Sequence, residues 1–396
     1  MISRMRIENF RSHEQTEFTL EPLTVFVGPC ASGKSNIFGA LALLQSTANR
    51  PLQECFTAGL YDFPMVRSLW LRGSESIALE VDVTSPPGFP GWRARYRLAV
   101  TKGGDLYQVT EERLDAEEPD ASGGRKLTCF NRKWRNDSHP PYGYVRVSDP
   151  TLLYQLRRLS PDARESEDTR LAEGVTRTIS RFGYYRPDSS AIHTPSSVET
   201  SARLGYHGEN MAACLNYLKQ EGRIAPVEEK LLAFSPQFKG ILVQELSFGK
   251  FGFSFLFEGF GEPVPAPLLS DGVKLSLAYL VISALAAPPL ILCLEEPENG
   301  YHPRRLRELM DIFVRLAYPN DDTPPVQVLV STHSPYLLDH FSGEMEKCIR
   351  VVEVRDGRSV VGGWLDRKAS LTPGEAAAGR ELPIGELWTQ GLYGGV

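Results

Sequence analysis

Eight consecutive residues near the amino terminus have the pattern of a phosphate-binding loop. The pattern G-x-x-x-x-G-K-[ST] is matched by Gly28, Pro29, Cys30, Ala31, Ser32, Gly33, Lys34 and Ser35. An apolar run precedes the loop, and apolar residues at helical spacing follow it. In such a loop backbone N–H groups surround a β-phosphate, Lys34 reaches the β- and γ-phosphate oxygens, and the Ser35 hydroxyl binds Mg²⁺. A chance Gly/Ser turn would not require this strand and helix, and we extend the predicted nucleotide site to Asn36.

Two carboxylates follow another apolar run, residues 290–294. Ligands of an α/β sheet bind at the carboxyl ends of its strands, so Glu295 and Glu296 are expected beside the phosphate loop. There Glu295 would hold Mg²⁺, directly or through water, and Glu296 would orient and deprotonate an attacking water. A strand followed by Glu-Glu-Pro is by itself typical of a solvated turn. Because the phosphate loop is expected next to these residues, we favour a catalytic site over a solvated turn.

A histidine occupies the corresponding position after a third apolar run, residues 326–330. This places His333 at the same edge of the sheet, where a neutral imidazole can hydrogen-bond a γ-phosphate or the attacking water. A purely structural role is the alternative for a single histidine after a strand. The neighbouring motifs favour the functional interpretation.

The segment Ser270, Asp271 and Gly272 precedes a predicted helix that begins at Val273. Ser270 can cap this helix, and Gly272 lets the backbone approach a ligand closely. A helix start is also an anion site, yet this one has no obvious phosphate within its own subunit. The alternative is an ordinary helix cap.

Composition excludes several other classes of protein. The 396 residues carry a net charge of −6, and 42% are hydrophobic and 23% charged, which is typical of a globular chain without a global attraction to nucleic acid. No apolar run approaches the roughly 20 residues of a membrane helix, and the first residues do not resemble a signal peptide, so we expect a cytoplasmic protein. The six scattered cysteines match neither a zinc site nor a disulfide framework.

The pattern of elements predicts an α/β fold in three parts. Residues 1–115 combine the phosphate-loop unit with strands typical of an antiparallel layer. Residues 116–243 are rich in turn residues and predict a partly helical insertion. Residues 244–396 alternate strands and helices, which favours a parallel sheet. No heptad pattern persists, so we expect no long coiled coil.

Taken together, the motifs resemble the ABC-type ATPase heads of structural-maintenance-of-chromosomes (SMC) and RecF-like proteins. Residues 28–35 match Walker A, 269–272 the signature, 294–300 Walker B with the D-loop, and 331–335 the switch-histidine loop. The segment 9–13 is similar to the double-strand-break-repair members of the group, whose arginine lies near the nucleotide, and this implies that role for Arg11. The resemblance implies a P-loop NTPase head with ATP and Mg²⁺ as cofactors.

A narrower resemblance is to stand-alone AAA-type ATPases related to the overcoming-lysogenization-defect (OLD) proteins. It rests on residues 203–210, 295–303 and 385–395. The superfamily implies a homodimer that encloses two ATP molecules, in which Ser270 and Gly272 face the partner's phosphate loop. It further implies a switch in DNA repair or anti-phage defence that acts on DNA or on an effector such as a nuclease or toxin. A non-catalytic scaffold that nucleotide assembles is the alternative.

Three features of the sequence depart from or add to this resemblance. Cys30 and Ala31 replace the Asn-Gly that is usual in such loops. Alanine tolerates a positive φ poorly. A helix start favours the thiolate form of a cysteine, which applies to Cys30 if it lies at the start of the helix. Residues 334–396 are too few for the TOPRIM nuclease domain of related proteins, so we expect any DNA cleavage to come from a partner. Residues 125–135 place five cationic residues around Phe130 and Trp134, which suits DNA as well as a solvated hairpin.

Overall fold

The computed structural model describes most of the chain. The described residues are 1–57, 66–68, 76–85, 91–103, 106–118, 125–133, 151–156, 167–285, 289–320, 323–371 and 382–391. They form two large sheets, one small sheet and a set of mostly short helices.

The strands account for all three sheets. In chain order they are β1 (Ile2–Phe10), β2 (His13–Thr19), β3 (Leu23–Val27), β4 (Ile77–Thr84), β5 (Arg93–Gly103), β6 (Leu106–Glu118), β7 (Arg125–Lys133), β8 (Phe182–Tyr185), β9 (Phe238–Glu245), β10 (Phe251–Phe257), β11 (Val264–Pro265), β12 (Ile291–Glu295), β13 (Gln327–Thr332), β14 (Ile349–Arg355) and β15 (Arg358–Gly363).

The helices connect and cover the sheets. They are α1 (Lys34–Asn49), α2 (Leu52–Thr57), α3 (Leu152–Leu156), α4 (Glu167–Ser180), α5 (Ser189–Ile192), α6 (Met211–Gln220), α7 (Ala225–Phe234), α8 (Asp271–Ala284), α9 (Leu306–Ala317), α10 (Pro335–Leu338), α11 (Trp364–Ser370) and α12 (Ile384–Thr389). Among the described residues, 3₁₀ turns lie at Ala266–Leu268, Pro303–Arg305 and Gly343–Cys348.

The central sheet has the order β15-β14-β3-β13-β12-β8 and is parallel except for its edge strand β15. Every residue of β3, β12 and β13 is buried. This is the reason for their largely apolar sequences, since a parallel strand is covered on both faces. The carboxyl ends of β3, β13 and β12 therefore meet side by side at one edge.

Two hydrophobic cores lie on opposite faces of the central sheet. Val328 and Val330 of β13 belong to a core shared with α6, α7, α8 and α9. Leu329 between them belongs to a second core, shared with α1, α4 and the antiparallel sheet. Alternate residues of one strand thus contact different cores, as the two-residue repeat of a strand requires.

The second large sheet is antiparallel, with the order β2-β1-β4-β5-β6-β7. Buried and more exposed residues alternate along β6, which fits a sheet with only one face on the core. The small sheet β11-β10-β9 is also antiparallel and leads into α8.

The predicted fold class is confirmed: a parallel core sheet and an antiparallel β layer are both present. The described residues contain no long coiled coil, and their longest helix is α1. The predicted part boundaries lie inside elements, because β6 continues through 115 and 116 and β9 through 243 and 244. Strands β7 and β8, within the predicted insertion, belong to the two large sheets.

A buried glutamine joins the antiparallel sheet to the central sheet. The Gln327 side chain accepts a 2.8 Å hydrogen bond from the Ile2 backbone N–H. Its amide nitrogen donates to the carbonyl oxygens of Ile2 at 2.7 Å and of Glu21 at 3.1 Å. The sheets are therefore joined at their start by a buried side chain that bonds backbone groups of both.

We expect Gln327→Leu to destabilise the protein by about 2–4 kcal/mol, because it strands buried backbone groups without partners. Urea unfolding followed by circular dichroism measures the change. The exposed Gln244→Leu on β9 is the matched control and should change stability by less than about 0.5 kcal/mol. Equal effects of the two substitutions would contradict this account of Gln327.

Candidate functional site

The predicted phosphate loop lies between the end of β3 and the start of α1. Gly33 at the helix start has φ +105°, and Ala31 has φ +62°. The left-handed conformation suits Gly33 but is costly for an alanine. A Cβ atom at Gly28 would overlap the carbonyl oxygen of Val352 in β14, so the loop packs directly on a neighbouring strand.

The Lys34 side chain folds back onto the loop itself. Its Nζ donates hydrogen bonds to the carbonyl oxygens of Gly28 at 2.7 Å and Pro29 at 2.8 Å. Burial lowers the Lys34 pKa, and the negative charge of nearby groups, which include Glu296, opposes this shift. An ammonium held this way is already at the centre of the loop, where an anion would replace the carbonyl contacts.

Glu295 is buried at the end of β12, with 5% of its surface exposed. Its Oε2 accepts a 3.0 Å hydrogen bond from the Tyr206 hydroxyl. Its Oε1 is buried and has no hydrogen-bond partner among the described residues. A carboxylate oxygen in this state fits a cation or its water ligand, as predicted for Mg²⁺. The exposed Ser35 lies in the first turn of α1, and no cluster of three His, Cys, Asp or Glu ligands occurs in the described part of the chain.

Glu296 and His333 lie together. Glu296 Oε1 is 3.3 Å from His333 Nδ1, although the approach is not aligned as a hydrogen bond. Glu296 Oε2 accepts hydrogen bonds from Arg186 at 3.2 Å and Asn299 at 3.0 Å. The Glu296 backbone has φ +43°, and its N–H donates to the Ser331 carbonyl at 2.9 Å. This hydrogen bond between the ends of β12 and β13 fixes the position of the backbone that carries the Glu296 carboxylate.

Glu298 is a member of the cluster that the sequence did not indicate. It is buried, and its Oε1 accepts a 2.6 Å hydrogen bond from Thr332 Oγ1. Burial raises the Glu298 pKa, while the Thr332 bond opposes the shift. Arg186 and Tyr206 were also missed as site residues, because they precede Walker B by about a hundred residues. The segment 203–210 gave a family resemblance but no chemical role for Tyr206.

Arg11 lies against the first turns of α1. Its Nη1 donates a 3.2 Å hydrogen bond to Asn36 Oδ1, and the Asn36 amide donates to Ser12 Oγ at 2.7 Å. The guanidinium lies 5.5 Å from the centre of the Phe10 ring. Arg11 is therefore held next to the predicted nucleotide site through Asn36.

The predicted signature lies elsewhere. Ser270 is the N-cap residue of α8, but its side chain makes no capping hydrogen bond, contrary to the expected cap. Asp271 Oδ1 is 3.1 Å from Lys274 Nζ, and hydrogen bonds from Ser189 and Lys274 lower the Asp271 pKa. Around Gly272 the nearest neighbour of an added Cβ is the Gly300 carbonyl, at 3.7 Å. Within the described ranges no hydrogen bond or ion pair joins these residues to the loop 28–36.

The geometry therefore divides the predicted site residues into two groups. The phosphate loop, Glu295, Glu296 and His333 meet at one sheet edge. Ser270, Asp271 and Gly272 lie beside the turn that follows Glu296. Both Ser270 and Asp271 are exposed.

The predicted DNA segment, residues 125–135, cannot be compared in the same way. Its backbone forms β7, whereas its side chains, and all of Trp134 and Arg135, lie outside the described residues. No helix in the described part of the chain has the length and apolarity needed to cross a membrane.

A buried histidine supports the phosphate loop from below. His13 in β2 is 0% exposed, and its Nε2 is 3.1 Å from the Gly33 carbonyl oxygen. Burial lowers the His13 pKa to about 4, and the Gly33 contact opposes the shift. Because a carbonyl only accepts, the neutral ring carries its hydrogen on Nε2.

Comparisons with known proteins give a consistent result. A family model described as "AAA domain, putative AbiEii toxin, Type IV TA system" matches residues 23–339. An "OLD nuclease" of Thermus scotoductus is 22% identical in an alignment of 387 residues, and the alignment covers 91% of this chain and 64% of that protein. This chain thus spans just under two thirds of the relative's length.

Solved SMC heads cover nearly all of the chain. The SMC head domain from Thermotoga maritima is 14% identical, with 91% of this chain and 98% of that one covered and a TM-score of 0.43. The Pyrococcus furiosus Smc head domain, solved with an extended coiled coil and bound to the C-terminal domain of ScpA, is 12% identical. The match covers 95% of this chain and 98% of that one, with a TM-score of 0.53. The fold of this chain is therefore similar to that of the Pyrococcus furiosus Smc head domain.

The low pKa of His13 predicts a pH-dependent stability. Between about pH 6.5 and pH 4 the unfolded state binds a proton that the folded state does not, so stability falls as pH falls through this window. From about pH 7 to pH 5 we expect His13 to contribute a loss of about 2 kcal/mol.

Urea unfolding of wild type and His13→Gln at both pH values measures this contribution. Glutamine keeps an N–H donor but does not titrate, so the variant should lose about 2 kcal/mol less on acidification. Parallel losses in the two proteins would show that His13 is not the titrating group.

Proposed function

This chain belongs to the AAA-domain family whose model matches residues 23–339, and on that premise we propose that it binds and hydrolyses ATP. The observation that carries the proposal is the meeting of the phosphate loop, two carboxylates and His333 at the ends of β3, β12 and β13. These groups match the parts that phosphoryl transfer to water needs: a phosphate cradle, a cation ligand and a base.

In the proposed complex the loop residues Gly28 to Asn36 bind the phosphates. The Lys34 ammonium exchanges its contacts with Gly28 and Pro29 for phosphate oxygens, which removes a buried charge from neutral partners. Ser35 and Glu295 would hold Mg²⁺, which neutralises charge on the phosphate oxygens when bound. The unpartnered Glu295 Oε1 supports this assignment.

Glu296 is the proposed base for the attacking water. Asn299 and Arg186 hold its Oε2, so that its Oε1 faces His333. His333 would hydrogen-bond the γ-phosphate or the same water. The positive φ of Glu296 is a strained conformation of the kind that functional sites retain.

The signature supports a proposed homodimer. Ser270 is exposed and its hydroxyl does not cap α8, and in the described part of the chain no hydrogen bond or ion pair joins it or Gly272 to the loop of its own subunit. In the proposed ATP sandwich Ser270, Asp271 and Gly272 contact the nucleotide bound to the other copy. ATP binding would close the dimer and hydrolysis would release it, which makes a switch.

The proposed role of this switch is DNA repair or anti-phage defence, with DNA or a separate effector as the partner. The Thermus scotoductus relative is named as a nuclease, which supports an association with DNA chemistry. The segment 125–135 is our candidate for DNA contact.

Lys34→Ala and Glu296→Gln should each lower the rate of ATP hydrolysis at least about 100-fold, since one removes the phosphate ligand and the other the base. Phosphate release measures turnover, and light scattering with and without ATP measures mass. Glu296→Gln should accumulate with ATP at twice the 44.1 kDa monomer mass. The exposed Glu229→Gln is the matched control and should behave as wild type.

The same experiment separates the two functional hypotheses. Hydrolysis that persists in Glu296→Gln would overturn the assigned base. Assembly on ATP with no turnover by wild type would favour the scaffold instead.

Cys30 gives an independent test of the loop. It is exposed, whereas Cys55, Cys214, Cys293 and Cys348 are buried. Alkylation with N-ethylmaleimide should block ATP binding, and prior ATP should slow the labelling. Binding is measured with a fluorescent ATP analogue. Inhibition that survives in Cys30→Ala would show that another group is responsible.

A further inference from the structure

The phosphate loop is held from behind by a segment that the proposed chemistry does not use. This segment is the hairpin β14–β15, and its buried Ser359 lies under the loop. Ser359 Oγ is 2.7 Å from the Ser32 carbonyl oxygen and 2.7 Å from Ser12 Oγ. The Ser359 N–H donates to the Ser12 carbonyl at 2.8 Å. Ser359 therefore joins the loop to the turn between β1 and β2.

His13 makes the second attachment. Its Nε2 donates to the Gly33 carbonyl, and its Nδ1 lies 3.0 Å from Thr16 Oγ1. Thr16 Oγ1 is in turn 2.9 Å from the carbonyl oxygen of Ser359, and its single hydrogen is donated either to this carbonyl or to His13 Nδ1. His13, Thr16 and Ser359 are all buried, so water does not compete for these bonds.

Close packing leaves the loop little freedom against this support. A Cβ at Gly33 would overlap Ser359 Oγ, and one at Gly28 would overlap the Val352 carbonyl in β14. The glycines of the motif are thus required here by the hairpin, independently of any ligand. The loop therefore cannot shift without breaking contacts at both of its ends.

The two attached carbonyl groups control the orientation of two amides. A trans peptide is planar, and its C=O and N–H point in opposite directions. Holding the Ser32 carbonyl on Ser359 therefore turns the Gly33 N–H away from the hairpin. The Gly33 carbonyl accepts hydrogen bonds from the Asn36 and Ile37 N–H groups at 3.0 and 3.3 Å, and His13 adds a third donor that helps to fix the Lys34 N–H in the same way. These are loop amides of the kind that surround a β-phosphate.

We infer that Ser359 and His13 are positioning residues that orient the Gly33 and Lys34 amides toward the β-phosphate of the nucleotide. The inference rests on the proposed nucleotide site. Neither side chain touches the nucleotide in this arrangement. Their effect is on the affinity for nucleotides that carry a β-phosphate.

The test compares binding of Mg-ADP and of AMP to wild type, Ser359→Ala, His13→Leu and His13→Gln. We expect Ser359→Ala and His13→Leu to weaken ADP binding by about ten-fold each, since each removes one buried hydrogen bond from the loop. His13→Gln keeps an N–H donor and should bind ADP within about two-fold of wild type. AMP affinity should change little in all variants, because AMP lacks the β-phosphate.

Ser370→Ala is the matched control, because Ser370 is exposed and its hydroxyl donates to the Arg367 carbonyl of its own helix. Thermal unfolding without nucleotide accompanies each titration. A lowered melting temperature with unchanged ADP affinity would reduce Ser359 and His13 to structural residues and overturn the inference. An equal loss of ADP and AMP affinity would do the same.

The outcomes also separate this inference from the proposed function. If wild type binds neither ADP nor ATP, the proposed nucleotide site is wrong and the positioning role falls with it. If wild type binds ADP and Ser359→Ala and His13→Leu match it, only the positioning role is wrong. Should Ser359→Ala fail to fold, the contrast between His13→Leu and His13→Gln decides alone.

Discussion

The central constraint on this molecule is that a strand buried on both faces cannot carry charge along its length. Strands β3, β12 and β13 are buried throughout, and their apolar residues fill two cores at once. Ionisable groups on these segments can reach water or a ligand only where the strands end. Since the strands are parallel neighbours, their charged ends meet at one place, and the site is a consequence of the sheet.

Burial at this edge shifts the pKa values of ionisable groups in the site. Lys34, Glu295 and Glu298 are nearly inaccessible to water, and burial alone lowers the Lys34 pKa and raises that of Glu298. Each charge is tolerated because the opposite sign is close and because backbone and hydroxyl groups complete the hydrogen bonds. The cluster carries more acid than base, which suits a site that admits a metal cation together with a polyanion.

The sequence predicted those parts of the site that are local. A strand, a glycine-rich loop and a helix start are contiguous, so Gly28 to Asn36 could be identified without tertiary information, and the residues that end β12 and β13 followed from the rule for parallel sheets. The predicted bounds differed by a few residues, as for α8, which begins at Asp271. The fold class was predicted from the alternation of strand and helix patterns along the sequence.

Long-range contacts could not be predicted. Tyr206 is 89 residues from Glu295 in sequence, Arg186 is 110 from Glu296, and Ser359 is 327 from Ser32. Serine, tyrosine and arginine at such separations carry no periodic or spacing signal, because any of them is equally at home on a solvated surface. The sequence also could not show that the Ser270 side chain leaves α8 uncapped, because the direction of a hydroxyl depends on its three-dimensional surroundings.

The pairing of β14 with β3 has a consequence for biosynthesis. Ile349 to Val351 lie alongside Val25 to Val27, and the hairpin that follows closes over the loop. A ribosome releases the amino-terminal strand and loop long before the residues that must lie beside them. Nascent chains that end before the hairpin therefore expose one edge of β3, and their phosphate loop lacks the contacts with β14 and β15. The loop therefore gains this support only after residues 349–363 have been synthesised.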